Sequence, residues 1–204
     1  MSKRPHCPHC DYPLSACLCH AIAPVRCAAT LVILQHPSEV GHAKNSVRLL
    51  QRVVQDCIVA VGESETDFAG IRRQLEGNGR QTLLLYPADA SVNLQEWPGI
   101  GGGDHEPVNL LVIDGTWRKA LKMFKLNPWL QELQAVHLGD NYQSRYRIRK
   151  AKRPDSLSTL EATAYALSEL EPCLDVTPLF TAFDAMVERQ LAAMPEAVRR
   201  RYQD

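Results

Sequence analysis

Hydrophobic residues along the chain follow two spacings: short unbroken apolar runs, and stretches with an apolar residue every three or four positions. The runs Ala28 to Gln35, Ile58 to Val61, Thr82 to Tyr86, Val108 to Ile113 and Ala135 to Leu138 have the length and β-branched content of buried strands. Pro87 stops the third run, because a proline cannot continue a central strand. The stretches between them predict helices. Ser46 to Asp56 places Val47, Leu50, Val53 and Val54 on one face, Phe68 to Leu75 follows Asp67 as its cap, and Trp117 to Phe124 has helical spacing. Leu157 to Leu170 is rich in helix-favouring residues, with Ser158 as N-cap and Glu161 completing a capping box. Pro178 to Tyr202 predicts a long terminal helical segment broken at Pro195. Strands alternating with helices predict an α/β fold with a parallel sheet covered on both faces. The stretch Pro98 to Pro107, with Gly99, Gly101, Gly102 and Gly103, lacks the strand-before, helix-after framing of a phosphate loop and reads as a flexible connector.

At 204 residues the chain can bury one substantial core and carry a small appendage, with a boundary near Pro24. No stretch approaches the roughly 20 apolar residues of a membrane span. The start Met1-Ser2-Lys3-Arg4-Pro5 has no apolar segment behind it, so no secretory signal is expected and a cytoplasmic location follows. Basic and acidic residues balance at 23 each, so no global attraction to nucleic acid is evident. Local distribution differs. Arg145, Arg147, Arg149, Lys150, Lys152 and Arg153 place six positive charges in nine residues, and Tyr142 and Tyr146 lie among them. Against the alternative of a solvated charged face, the interleaved tyrosines favour RNA contact, with stacking beside phosphate binding.

The seven cysteines are unevenly spread. Cys7, Cys10, Cys17 and Cys19 fall within residues 1–24, a polar segment with no core to fill, and a reducing compartment argues against disulfides. Four thiolates suffice for a tetrahedral structural zinc site, although His6, His9 or His20 could replace one, and a metal-free cluster is the alternative. Cys27, Cys57 and Cys173 read as buried hydrophobes, and His137 as a core or structural histidine.

The most informative junction is Asp114-Gly115-Thr116-Trp117, where a strand turns into a helix. In open α/β sheets ligands bind outside the carboxyl ends of strands. An Asp, a close-approach Gly, helix-start amides and a flat Trp meet at that corner. The plain alternative is that Asp114 caps the next helix. There is no Gly-x-Gly-x-x-Gly after the first strand, so an ordinary dinucleotide fold is not indicated.

Asp-x-Thr-Trp resembles the signature of the DTW-domain family. Leu34-Gln35-His36-Pro37-Ser38-Glu39, Leu83-Leu84-Leu85-Tyr86-Pro87, Arg149-Lys150 and Leu157-Ser158-Thr159-Leu160-Glu161-Ala162 follow that family's order, as does the cysteine-rich start. The resemblance is to its bacterial tRNA-modifying members. It implies a SPOUT-like sheet with a C-terminal trefoil knot over 25–204, and transfer of the 3-amino-3-carboxypropyl group of S-adenosylmethionine to N3 of a tRNA uridine, position 47 in the variable loop. It also implies that S-adenosylmethionine lies against Leu85, Tyr86, Pro87, Asp114, Gly115, Thr116, Trp117, Leu157, Ser158, Thr159 and Glu161. Asp114 then engages the uridine N3–H, as base or as orienting group, and Trp117 walls the transferred arm. His36 and Glu39, a possible acid/base pair by residue type, shape the substrate pocket; Arg145, Arg147, Arg149 and Lys150 suit tRNA phosphates. No obligatory protein partner is evident. The rival readings are an S-adenosylmethionine-dependent RNA methyltransferase and a non-catalytic zinc-containing RNA-binding module.

Overall fold

The computed structural model describes residues 5–42, 45–99, 106–146 and 157–200. Its centre is one parallel sheet of strands β1 (Thr30–Gln35), β2 (Ile58–Val61), β3 (Thr82–Leu85), β4 (Val92–Asn93), β5 (Asn109–Asp114) and β6 (Gln134–His137). They lie in the order β2-β1-β5-β3-β6-β4. The central strands are apolar without interruption because both faces are covered. Successive residues alternate between two cores: Leu31 and Ile33 of β1 with Leu110 and Val112 of β5 face one, Val32 and Leu34 with Leu111 and Ile113 the other. Helices α1 (Val47–Val53), α5 (Thr159–Leu170) and α6 (Thr177–Ala192) supply the first core; α2 (Glu65–Gly77), α3 (Trp117–Leu126) and the short α4 (Pro128–Gln131) supply the second. A last turn, α7 (Glu196–Arg199), follows Pro195, so the expected break falls where the proline stands. Among the described residues no helix is long and apolar enough to cross a membrane.

Several boundaries differ from the sequence expectation for local reasons. α1 stops at Val53, because Val54 leaves the helix to bridge Val25 and Asp56 takes a positive φ of 60°. α2 begins earlier than expected, at Glu65, and Ser64, not Asp67, is its cap. Asp67 instead sits at the third helical position, its carboxylate accepting the Glu63 and Ser64 amides at 2.9 Å each. Those backbone bonds hold its carboxyl below the ordinary range. β4 and α4 were not legible: two residues of strand and four of helix carry no periodicity. Cys27 and Cys57 are partly buried, which pushes their thiols up to about 11 and about 12, whereas Cys173 is exposed, contrary to expectation. It follows Pro172 in the α5–α6 connection, outside both apolar cores.

The N-terminal segment packs onto the sheet domain. Cys7, Cys10, Tyr12 and Leu18 join the apolar cluster of α1 and α6. The Tyr12 hydroxyl reaches Met186 Sδ at 3.6 Å, and the Arg48 guanidinium lies 5.0 Å over the Tyr12 ring.

One buried carboxylate organises the far end of the chain. Glu161 is fully buried in the first turn of α5. It accepts the Ser158 amide at 2.7 Å, closing the predicted capping box, and also the Ser144 hydroxyl at 3.1 Å and the Arg145 amide. It therefore clamps the approach to residue 146 onto the start of α5. Replacing Glu161 by Ala strands the buried Ser158 amide and frees two half-buried or exposed donors, so a loss of about 2 kcal/mol is expected. Urea unfolding of the variant, read against Ser144→Ala, checks this.

Candidate active site at the carboxyl ends of the strands

The connections leaving β3, β5 and β6 converge with the start of α5 around a cavity of about 200 Å³. Leu85, Tyr86 and Pro87 form one wall; Ile113, Gly115, Trp117 and Ala120 form a second. His137 with Leu138, and Leu157, Ser158 and Thr159, close it. Tyr86 is braced from behind by Phe124, their rings 4.8 Å apart. Trp117 opens α3 and is 60% exposed, so its face is available at the cavity mouth. Gly115 fits closely here: a Cβ would lie 3.2 Å from Lys119 Cβ and 3.5 Å from the Ala120 amide nitrogen. A larger cleft of about 890 Å³ lies at the opposite, N-terminal end of the strands, beside Gln81, Val108 and Gln134. It borders residues outside the described set and gathers none of the signature residues.

Asp114 ends β5 and is buried to 9% exposure. It does not cap α3, whose N-cap is Thr116. One carboxyl oxygen accepts from Gln35 Nε2 at 2.8 Å, the other from the Thr159 hydroxyl at 2.6 Å. Sheet register puts Gln35 directly opposite Asp114, and the His36 amide donates to the Asp114 carbonyl at 2.9 Å. Asn45 fixes the Gln35 amide: its Oδ1 accepts the Val47 amide at 2.8 Å and lies 3.4 Å from Gln35 Nε2, while its Nδ2 donates to backbone carbonyls. Gln35 was missed in the sequence reading, although a polar residue closing a fully buried strand was the available signal.

The other expected site residues fall in three groups. Leu85, Tyr86, Pro87, Gly115, Trp117, Leu157, Ser158 and Thr159 line the cavity together. Asp114, Thr116 and Glu161 are not on its wall: Asp114 stands behind Thr159, Thr116 is exposed, and Glu161 is spent on the clamp described above. His36 and Glu39 form no acid/base pair. His36 Nδ1 accepts the Ser38 amide at 3.2 Å, leaving Nε2 to donate to Glu63 at 3.0 Å, and Glu39 meets Lys119 at 2.7 Å. Lys122 and His36 together hold the Glu63 carboxyl below its ordinary range. These pairs brace α3 against the end of β1.

Arg145 lies over the Phe180 ring at 4.8 Å and pairs with Asp184 at 2.9 Å. Arg147, Arg149 and Lys150, with Lys152 and Arg153, lie outside the described residues. The tyrosines do not offer open stacking faces. Tyr146 is buried edge-on against Phe183, and Tyr142 packs on Tyr165 and bonds Glu169. His137 is half-buried, bonds Ser91 through Nδ1 at 3.0 Å, and is among the residues lining the cavity.

At the N-terminus the sulfur atoms of Cys7, Cys10, Cys17 and Cys19 all lie within 4.8 Å of one another, with Cys7–Cys19 at 3.5 Å and Cys10–Cys17 at 3.7 Å. These are close to the roughly 3.8 Å edge of a tetrahedron with 2.3 Å metal–sulfur bonds. The amides of Cys10 and His9 pull the Cys7 thiol down to about 6, whereas Cys17 and Cys7 push Cys19 up to about 12. Crowded thiols of this kind ionise together only around a cation. The cluster can hold a metal, and no histidine belongs to it.

The parallel sheet with a small cavity over its carboxyl ends makes this an α/β protein, with the cavity at the place where ligands bind in open sheets of this kind. The chain belongs to the DTW domain family, whose profile matches residues 4–191. It is 32% identical over 183 residues to a mouse protein named tRNA-uridine aminocarboxypropyltransferase 2, covering 87% of this chain and 61% of the relative. A Drosophila melanogaster protein of the same name is 34% identical over 177 residues, covering 83% and 68%. The Arabidopsis thaliana tRNA-uridine aminocarboxypropyltransferase A is 24% identical over 240 residues, covering 99% and 89%. The chain thus spans about three fifths of the mouse relative's length.

The Gln35–Asp114 bond is testable without substrate. Gln35→Leu preserves bulk but removes the amide donation to a buried carboxyl group, with an expected loss of about 2 kcal/mol. In a double-mutant cycle with Asp114→Ala, urea unfolding should show clear non-additivity. Additive losses would mean that the two side chains do not support each other.

Proposed function

We propose that this protein is a tRNA-uridine aminocarboxypropyltransferase, moving the 3-amino-3-carboxypropyl group of S-adenosylmethionine to N3 of a tRNA uridine, position 47 in the variable loop. One observation carries the reading: Gly115 and Trp117 of the signature, Leu85 to Pro87 and Leu157 to Thr159 surround a single cavity, in a chain whose relatives bear that name. In the reaction N3 attacks the arm's carbon bonded to sulfur. That C–S bond breaks, the sulfur keeps the electron pair, and 5′-methylthioadenosine leaves together with the N3 proton.

The chain's contribution is placement. Three carbons on the sulfonium are open to attack, and the one aligned with the acceptor reacts. Trp117 walls the arm to be transferred, and the amides opening α5 receive its carboxylate. Asp114 stands at the acceptor end, where it takes up the N3 proton or orients the N3–H. Arg145, Arg147, Arg149 and Lys150 meet tRNA phosphates, and the His36–Glu63 and Glu39–Lys119 pairs keep α3 in position at the cavity mouth. A SPOUT-like fold whose C-terminal part is threaded into a trefoil knot belongs to the same reading. Residues 1–24 form a knuckle on which one zinc ion is held by Cys7, Cys10, Cys17 and Cys19. Four protein thiolates leave no open position for water, so the metal is structural.

Mass spectrometry of tRNA nucleosides from cells with and without the protein tests the whole reading. Loss of the aminocarboxypropyl uridine is expected on deletion. In vitro, 5′-methylthioadenosine as by-product supports it, and S-adenosylhomocysteine would make the protein a methyltransferase. Asp114→Ala is expected to lower the transfer rate by about two to four decades, with a smaller loss of S-adenosylmethionine binding because Thr159 in the cavity wall loses its acceptor. Asp114→Asn separates the two roles, since it can orient N3–H but cannot take its proton; near-normal activity in that variant assigns orientation. Metal analysis is expected to return one zinc per chain. Cys10→Ser should lose it and loosen residues 1–24, with cofactor binding surviving better than tRNA binding.

A further inference from the structure

We infer that His137 recognises the purine of the cosubstrate, its Nε2 accepting a hydrogen bond from the adenine 6-amino group. This rests on the function proposed above and adds a recognition residue to the same cavity. The tautomer follows from two hydrogen bonds. Ser91 Oγ lies 2.7 Å from the Ala88 carbonyl, which can only accept, so the single hydroxyl hydrogen is used there. His137 Nδ1 lies 3.0 Å from the same Oγ, which is left to accept, so Nδ1 carries the ring proton. In the neutral ring Nε2 is then a bare acceptor. Among the described residues no hydrogen bond to Nε2 is formed, and His137 is one of the residues lining the cavity.

The ring's place is set by the sheet. His137 is the last residue of β6, in register with Asn93 on β4, and the preceding Val136 pairs with Leu85 on β3. The cavity is largely apolar, with Leu85, Pro87, Leu138, Leu157 and Tyr86 in its lining. A flat heteroaromatic ring suits such a slot, and a lone acceptor inside it costs free energy unless the occupant brings a donor. β6 stands two strands from β5, about 10 Å away at the usual strand spacing, so His137 is at the far end of the cavity from Asp114. That distance removes it from the uridine N3 and leaves the purine as its partner. An adenine offers the required donor at its 6-amino group.

The test compares binding of 5′-methylthioadenosine with 5′-methylthioinosine, which has a carbonyl in place of the amino group, to the full chain. The wild type is expected to prefer the adenosine compound by about tenfold or more. In His137→Phe the preference should fall below about twofold, and His137→Asn, which keeps a side-chain acceptor, should retain part of it. Equal wild-type affinities, or a full preference surviving in His137→Phe, overturn the assignment while leaving the cavity as the cosubstrate site. Binding of neither compound by the wild type overturns the proposed function along with it.

Discussion

The site depends on the burial of one carboxyl group, that of Asp114, in an otherwise apolar sheet. A carboxyl with so little water contact needs protein donors. Among the described residues, Gln35 at the end of β1 and Thr159 at the start of α5 donate to it from different elements. Meeting Asp114's demand therefore fixes the distance between the sheet and the first turn of α5. That turn carries Leu157, Ser158 and Thr159 into the cavity wall. Glu161 repeats the arrangement two residues on, tying Ser144 and Arg145 to the same turn. Satisfied buried networks of this kind cost stability relative to apolar packing but allow only one geometry. Here the geometry they specify is that of a ligand cavity.

The sequence was legible where a single periodicity dominated. β1 and β5 are buried on both faces, so their apolar runs were unbroken and their assignment straightforward. The capping box of α5 was readable because Ser158 and Glu161 are close in the chain. Short elements such as β4 have no period to read. The roles that depend on sheet order were also hidden. Gln35 and Asp114 are distant in sequence and neighbours only because β5 inserts beside β1. His137 belonged to a short apolar run, and nothing local said that its strand ends at a cavity. Tyr146 looked like a stacking residue among arginines, but α6 offers it Phe183.

Formal neutrality of the chain says little about its local fields. Several basic groups near the site are already matched: Lys119 by Glu39, Lys122 by Glu63, Arg145 by Asp184. The exposed pairs among them add little stability. Their effect is to hold α3 and the 145 region in register with the cavity. The N-terminal segment uses another device. Its apolar contribution is small, essentially Tyr12 and Leu18 against α1 and α6. A segment with so little core needs a cross-link to be ordered, and four thiols gathered within 4.8 Å provide one when a metal joins them.

On the proposed function, the purine of the cosubstrate and the acceptor uridine are both anchored on strand ends and not on free loops. His137 closes β6, and Asp114 closes β5, with β3 between them. The separation of purine and acceptor is then set by two strand spacings, which the sheet cannot easily change. Between those fixed points the sulfonium has limited freedom, and the carbon facing the acceptor is decided by which arm lies against Trp117. Displacements near 1 Å are enough to cost about a hundredfold in such alignments. Choice between methyl and aminocarboxypropyl transfer therefore requires no special catalytic group. It requires that Gly115 admit close approach, that Tyr86 stay braced on Phe124, and that the amides of α5 hold the arm's carboxylate while the uridine N3 closes on its carbon.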